Sequence, residues 1–120
     1  MVQQRDFQAV FEELKGILKP FEPRLVVEHD LPGNYSLNTH YSEKYKKEVF
    51  FGAVHITKSY VSYHLMPVYA FPDLLEEVSP GLRARMQGKS CFNFKTIEPT
   101  LYQELSQLTE RSFNRFVQLK

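Results

Sequence analysis

Two strand-like segments, residues 60–67 and 88–94, carry the side chains best suited to chemistry in this sequence. In both segments large apolar residues alternate with small or polar ones, which predicts one buried face and one polar face. The polar face is expected to carry Ser62, His64, Cys91 and Asn93. A histidine next to a cysteine makes a base and a nucleophile when it stabilises the thiolate. The alternative is that Cys91, a lone cysteine in an aromatic strand, is a small buried side chain, since no third group that would orient the pair is evident.

A second hypothesis concerns His55 and His64, which are expected to lie diagonally on one face of a hairpin. Two imidazoles bind a shared metal if a carboxylate joins them. Histidines on a sheet more often serve as hydrogen-bonded structural or surface residues. The sequence therefore specifies no metal site and no cofactor.

The tripeptide Gly88-Lys89-Ser90 is the ending of a phosphate-binding loop. That motif also requires a glycine five residues before Gly88 and a preceding strand, but the sequence has Arg83 there in a segment with a helical pattern. A nucleotide-binding loop is not expected, and Gly88 is interpreted as the cap that ends a short helix.

Basic residues cluster between the short helix and the last predicted strand. Arg83, Arg85 and Lys89, with Lys95 beyond them, form a candidate anion-binding site. The alternative is a solvated face whose charge Glu76 and Glu77 balance locally.

Composition is typical of a soluble globular protein with one domain, spanning 1–120. Hydrophobic residues make up 42% of the 120 residues and charged residues 24%, and 10 Phe and 7 Tyr supply large core side chains. The formal charge of +1 lacks the strong positive excess of nucleic-acid-binding proteins, so no nucleic-acid partner is expected.

The N-terminal residues contain no apolar signal region, and no apolar run approaches the ~20 residues that cross a bilayer. Because Cys91 is the only cysteine, no intrachain disulfide and no cysteine-based zinc site can form. These features predict a cytoplasmic protein without a membrane partner.

Apolar spacing of three and four residues predicts a helix over about 5–19, which Pro20 ends. Strands are predicted at 25–28 and 34–39, joined by a turn at 30–33 in which Gly33 accepts a positive φ. Residues 41–47 are predicted to form a solvated loop. The clearest strands are 48–56 and 60–68.

These last two strands are predicted to form a hairpin with Lys58 and Ser59 as its two-residue turn. Antiparallel pairing then divides their side chains between a core face and a semi-polar face, although a one-residue bulge would exchange the faces of one strand. The core face is predicted to carry Phe50, Gly52, Val54, Ile56, Val61, Tyr63 and Leu65. The semi-polar face is predicted to carry Phe51, Ala53, His55, Tyr60, Ser62, His64 and Met66.

Short helices are predicted from Pro72 to about Val78 and from Pro80 through Met86, because each begins with a proline-containing start signal. A last strand at 91–95 and a final helix from Pro99 with an apolar stripe complete the order. The fold class is α+β, with a mostly antiparallel five-stranded sheet, N- and C-terminal helices, and short helices before the last strand.

The two segments that carry His64 and Cys91 also resemble a known family. The pattern His64-Leu65-Met66-Pro67-x-Tyr69 and the run from Arg85 to Lys95 are similar to the YdhG-like superfamily of small bacterial domains of unknown function. The resemblance implies a secretion-chaperone-like fold and supplies no catalytic residues. Some relatives are described as frataxin-like iron chaperones that hold iron with surface carboxylates. Here the first helix offers only Asp6, Glu12 and Glu13 for that role.

The sequence thus predicts a binding or interaction module that uses the semi-polar sheet face for a small ligand or a protein partner, with a homodimer as the default assembly. The candidate ligand-binding residues are His55, Tyr60, Ser62, His64, Cys91 and Asn93. The first alternative is an iron-binding chaperone, and the second is an enzyme that uses Cys91 as its nucleophile.

Overall fold

The structure, a computed structural model, describes residues 4–39 and 49–117, with side chains described at 7–39 and 49–116. Its helices are α1 (Gln4–Leu18), α2 (Met66–Ala70), α3 (Pro80–Arg83) and α4 (Pro99–Val117), with 3-10 turns at Lys19–Arg24 and Pro72–Leu75. Its strands are β1 (Val26–Leu31), β2 (Asn34–Asn38), β3 (Phe50–Ile56), β4 (Val61–Leu65), β5 (Met86–Gln87) and β6 (Cys91–Phe94). The loop predicted at 41–47 and the side chain of Asp6 lie outside the described residues.

The strands form one antiparallel sheet in the order β1-β2-β3-β4-β6-β5. The α+β class with N- and C-terminal helices is confirmed, but the described sheet has six strands rather than five. The additional strand, β5, contains Met86, which was predicted to end a helix. That helix ends at Arg83, and a two-residue strand is too short to show alternation in a sequence. Gly88, predicted as a helix cap, instead has a φ of +80° in the turn between β5 and β6.

Helices α1 and α4 cover one face of the sheet. Gly52 permits the close approach of α1, because a Cβ there would lie 3.3 Å from the Leu18 side chain and 3.1 Å from the His64 carbonyl oxygen. Tyr63, one strand away, is fully buried and reaches Thr109 of α4. Core side chains point to this face, which leaves the opposite face without a helix among the described residues.

The predicted hairpin register between β3 and β4 is confirmed. Ile56 pairs with Val61 and Gly52 pairs with Leu65, as a turn at Lys58-Ser59 requires. The hydroxyl of Thr57 stabilises the turn by accepting hydrogen bonds from the backbone N–H groups of residues 59 and 60.

Two residues predicted to lie on the semi-polar face, Phe51 and Met66, belong to the core side. Asn38 pairs with Phe50 while Leu37 pairs with Gly52, so Phe51 is the extra residue of a β-bulge. Its ring is fully buried, 5.8 Å from that of Phe113 in α4.

Met66 leaves the sheet face because β4 ends at Leu65 and not at Val68. Met66 begins α2, where Pro67 occupies the first turn and loses no hydrogen bond by lacking an N–H. The Met66 side chain packs against the core.

The hydrogen bond between Tyr63 and Thr109 gives a first testable prediction. The hydroxyl oxygens are 2.6 Å apart, and the Thr109 hydroxyl donates to the Leu105 carbonyl, so the Tyr63 hydroxyl donates to Thr109. We expect Thr109→Val to lower the free energy of unfolding by ~1–3 kcal/mol, because it leaves the Tyr63 hydroxyl buried without a partner. Urea denaturation measures the effect.

The double variant Tyr63→Phe/Thr109→Val is the matched control. It removes both polar groups, so it should be more stable than Thr109→Val alone. The single variant Tyr63→Phe completes the cycle. If the loss of stability in the double variant equals the sum of the losses in the two single variants, the buried hydrogen bond is contradicted.

Candidate functional site

A cavity of about 190 Å³ lies on the face of the sheet opposite α1 and α4, and it brings together all six predicted ligand-binding residues. We call it the His64 cavity. Its lining residues are His55, Thr57, Tyr60, Ser62, His64, Gln87, Cys91 and Asn93.

Strand pairing positions these side chains. Cys91 of β6 pairs with His64 of β4 on one side and with Gln87 of β5 on the other. One step along the strands, Ser62 pairs with both Asn93 and His55. Side chains of directly paired residues project to the same face of the sheet. The pairing register therefore brings these side chains together.

The partner of His64 in β3 is Ala53, whose own partner in β2 is Ser36. Both residues are buried, and neither lines the His64 cavity. The cavity therefore extends from His64 toward β6 and the hairpin turn.

Three side chains in the cavity form a hydrogen-bonded chain. The Cys91 Sγ lies 2.8 Å from His64 Nδ1, and His64 Nε2 lies 3.3 Å from the Ser62 hydroxyl oxygen. Ser62 is 5% exposed, whereas His64 and Cys91 are half-buried. The chain therefore runs from a sheltered hydroxyl to a thiol at the cavity surface.

Burial determines the protonation states of Cys91 and His64 in this hydrogen-bonded series. It raises the pKa of the Cys91 thiol above its ordinary value, and the hydrogen bond with Ser90 opposes the rise only in part. Burial also lowers the pKa of His64, with a smaller contribution from the charge of His55. Both shifts favour the neutral forms at pH 7.

The neutral state determines where the protons lie. A neutral Cys91 thiol donates to His64 Nδ1, which places the ring proton on Nε2, directed at the Ser62 oxygen. A catalytic thiolate requires the opposite arrangement, in which an imidazolium lowers the thiol pKa. With the Cys91 thiol un-ionised, the three side chains are placed to act as hydrogen-bond donors and acceptors.

The lining of the His64 cavity includes no Asp, Glu, Lys or Arg. The Asn93 amide donates to Gln87 at 2.7 Å, and its buried Oδ1 has no hydrogen-bond partner among the described residues. The cavity consequently offers hydroxyl, amide, thiol and imidazole groups and no carboxylate, ammonium or guanidinium group.

Two lining residues were missed by the sequence analysis. Gln87 was assigned to no element, because the short strand β5 has no sequence signature. Thr57 precedes the hairpin turn, and its place opposite Tyr60 was implied by the predicted register. The predicted hairpin register could therefore have identified Thr57 as a lining residue, but it contains no information on Gln87.

The three predicted anion-binding residues do not form one site. Arg85 lies 2.8 Å from Glu98, and the pair lines an adjacent cavity of about 340 Å³ together with Lys95. Arg83 and Lys89 line a separate groove.

No group of three His, Cys, Asp or Glu side chains within 7–39 and 49–116 is placed to hold a metal ion. In particular, His55 and His64 share the His64 cavity, but no carboxylate joins them there. The cavity thus lacks the oxygen ligands that an iron site built on carboxylates would need.

The lowered pKa of His64 gives a second prediction, for the dependence of stability on pH. A histidine whose pKa is lower in the folded state than in the unfolded chain binds its proton more readily after unfolding. Its contribution to stability is therefore complete above the unfolded pKa of ~6.5 and declines as the pH falls through that value toward the folded pKa.

Urea denaturation of the wild type and of His64→Gln from pH 5 to 8 tests this dependence. The wild type should lose stability relative to the variant as the pH falls below about 6.5. Asp30 and Asp73 also have lowered pKa values, but they are present in both proteins and cancel in the difference. The prediction of a neutral His64 in the folded state would be contradicted if the stability of the wild type relative to His64→Gln stayed constant, or increased, as the pH falls.

No helix of the described residues is long and apolar enough to cross a membrane.

Comparisons with protein-family models, with curated proteins and with solved structures each find no match to this chain. The resemblance to the YdhG-like superfamily stays a prediction.

Proposed function

We propose that this protein is a binding module and that the His64 cavity holds a small, uncharged, polar molecule. The observation that carries the proposal is the convergence of six polar or titratable side chains from three segments on one cavity whose central histidine and cysteine are held neutral. Concave sites with a few convergent polar groups are the usual form of a ligand-binding site.

The size of the cavity limits the ligand. A volume of 190 Å³ is small compared with the ~300–1,000 Å³ typical of sites for drug-sized molecules. At roughly 30 Å³ per water-sized group, it accommodates about six non-hydrogen atoms. An amide, a urea or a small nitrogen heterocycle has this size.

The absence of Lys, Arg, Asp and Glu from the lining selects the chemistry. An ionised ligand would lose hydration in a half-enclosed site in which no Lys, Arg, Asp or Glu side chain replaces it. An uncharged molecule with both donors and acceptors instead matches hydroxyl groups from Tyr60 and Ser62 and amides from Gln87 and Asn93.

The two alternative functions have less support. An enzyme that uses Cys91 needs a thiol whose pKa is lowered, whereas burial raises it. Iron delivery needs clustered surface carboxylates, and among the described residues no group of three His, Cys, Asp or Glu side chains is placed to hold a metal ion. A second copy of the chain would cover a broad surface, whereas the predicted residues line a concavity.

Ligand-observed NMR with named fragments tests the proposal. The fragments are acetamide, 2-pyrrolidinone and uracil, with acetate as a charged analogue that matches acetamide in shape. We expect millimolar dissociation constants, about −4 kcal/mol, for at least one uncharged fragment, which is ordinary for so few atoms. Acetate should not bind.

Two variants locate the binding. His64→Ala should abolish saturation transfer, while His29→Ala, which changes an exposed histidine of β1 outside the cavity, should preserve it. Thermal midpoints confirm that both variants fold. Binding that survives His64→Ala, binding of acetate equal to that of acetamide, or no binding by any fragment would contradict the proposal.

A further inference from the structure

A second concave site lies at the end of the sheet next to β5. It is a groove of about 580 Å³, which we call the Tyr69 groove. Its lining residues are Val68, Tyr69, Pro72, Leu75, Arg83, Met86, Gly88 and Lys89.

The Tyr69 groove is separate from the His64 cavity, although both contact β5. Met86 lines the groove and Gln87 lines the His64 cavity. Successive residues of a strand point to opposite faces, so the short strand divides the two sites. A ligand in one site leaves the other open.

The walls of the groove are largely apolar. Tyr69 is 56% exposed, an unusual degree for a large aromatic side chain, and Leu75 and Met86 pack partly buried against the core. Aromatic and thioether side chains provide a broad, polarisable contact surface for a flat apolar molecule.

Two cations lie at the rim of these walls. One Nη of Arg83 donates to the Leu75 carbonyl, which holds the guanidinium at the groove and leaves other N–H groups for a ligand. The Lys89 Nζ lies 5.9 Å from the centre of the Tyr69 ring. The positive φ of Gly88 makes the turn that brings Lys89 over this ring.

Neither cation is neutralised by a described carboxylate. Within residues 7–39 and 49–116, no Asp or Glu oxygen lies within 4.0 Å of Arg83 or Lys89. Arginines nearby behave differently, since Arg85 pairs with Glu98 and Arg115 pairs with Asp73, each at 2.8 Å. Arg24, Lys58, Lys95 and Arg111 likewise have no described carboxylate partner, but of these six residues only Arg83 and Lys89 line the groove.

We propose that the Tyr69 groove binds an amphiphilic anion, with its anionic group between Arg83 and Lys89 and its apolar body against Tyr69 and Met86. The complementarity of charge and apolar surface favours this occupant over a neutral or an entirely polar one. At roughly 30 Å³ per water-sized group, the volume of 580 Å³ accommodates about 20 non-hydrogen atoms.

A pair of fluorescent probes tests the proposal. The anionic probe is 8-anilinonaphthalene-1-sulfonate, and the neutral probe, N-phenyl-1-naphthylamine, has the same aromatic body without the sulfonate. We expect Arg83→Gln/Lys89→Gln to weaken binding of the anionic probe about tenfold, which corresponds to ~1.4 kcal/mol for two partly exposed ionic contacts. Binding of the neutral probe should change less than about twofold.

Two control variants complete the experiment. Lys95→Gln removes a lysine that lines another cavity and should leave binding of the anionic probe unchanged. Tyr69→Ala removes part of the apolar wall and should weaken both probes. Each variant changes an exposed side chain, and its thermal midpoint should match that of the wild type.

Competition separates amphiphilic anions from inorganic ones. Decanoate should displace the anionic probe, whereas inorganic phosphate at equal ionic strength should not. The proposal is overturned if phosphate displaces the probe equally well, if the double variant binds the anionic probe as the wild type does, or if Lys95→Gln weakens it as much as the double variant.

Discussion

Phe51→Ala is expected to lower the free energy of unfolding by ~3–5 kcal/mol, the range typical of removing a buried aromatic ring. The ring is fully buried, and its centre lies 5.8 Å from that of Phe113, 6.1 Å from that of Phe116 and 6.3 Å from that of Phe21. Truncation would leave a cavity between β3 and α4 that these rings cannot fill without moving. Urea denaturation at pH 7 measures the loss.

Phe50→Ala is the matched control, because Phe50 is the neighbouring phenylalanine and is only half-buried. Its loss should cost about 1 kcal/mol, since less apolar surface is removed from the core. The bulge at Phe51 would be contradicted if Phe50→Ala cost more than Phe51→Ala, which is the order that an unbulged strand predicts.

The bulge shows where sequence reasoning about the fold reached its limit. The alternation of side chains along the strand predicted Phe51 on the polar face. A regular alternation contains no indication that one residue is inserted as a bulge. The hairpin register between β3 and β4 was predictable, since the turn length fixes it. The pairing of Phe50 with Asn38 depends on a neighbouring strand, and nothing local to β3 records it.

Proline and short elements account for the other differences. Pro67 is compatible with the end of a strand and with the start of a helix. In the structure it lies in the first turn of α2, and Met66 packs against the core. Strand β5 exists because Met86 and Gln87 pair with Phe92 and Cys91. Their own sequence has no strand period. The long helices α1 and α4 were predictable from their apolar stripes alone.

Alkylation of Cys91 by iodoacetamide at pH 7 is expected to be at least about tenfold slower in the folded protein than in the urea-unfolded chain, because thiolate is the reactive form. Burial raises the pKa of the folded thiol, so less of it is ionised than the ~3% expected of an ordinary cysteine. Because the pKa of the folded thiol is raised, the rate should still be increasing with pH at pH 8.5. Mass spectrometry of the single cysteine measures the rate.

His64→Ala distinguishes a neutral pair from a catalytic one. Removing a neutral imidazole exposes the thiol, so the variant should react at least as fast as the wild type. Rapid alkylation of the wild type below pH 7 that disappears in His64→Ala would identify a thiolate–imidazolium pair. That result would favour a cysteine-dependent enzyme over a binding module.

The candidate site was predictable to a different degree from the fold. His55, Ser62 and His64 follow from the hairpin register, and Cys91 and Asn93 follow once β6 is placed beside β4. The positions of β6 and β5 determine whether these side chains enclose a cavity. Both depend on strand order, which composition and spacing do not encode. The neutral state of the pair depends on burial and is likewise visible only in the folded protein.

The most direct test of the central claim is a titration with acetamide, followed through the imidazole ¹⁵N signals of the folded protein. If the His64 cavity binds uncharged polar ligands, the His64 signals shift to saturation at millimolar concentration while those of His29, exposed in β1, do not move. Acetate, titrated in the same way at constant pH, leaves both sets unchanged. His64 signals that do not respond to acetamide, or that respond equally to acetate, would contradict the proposed function.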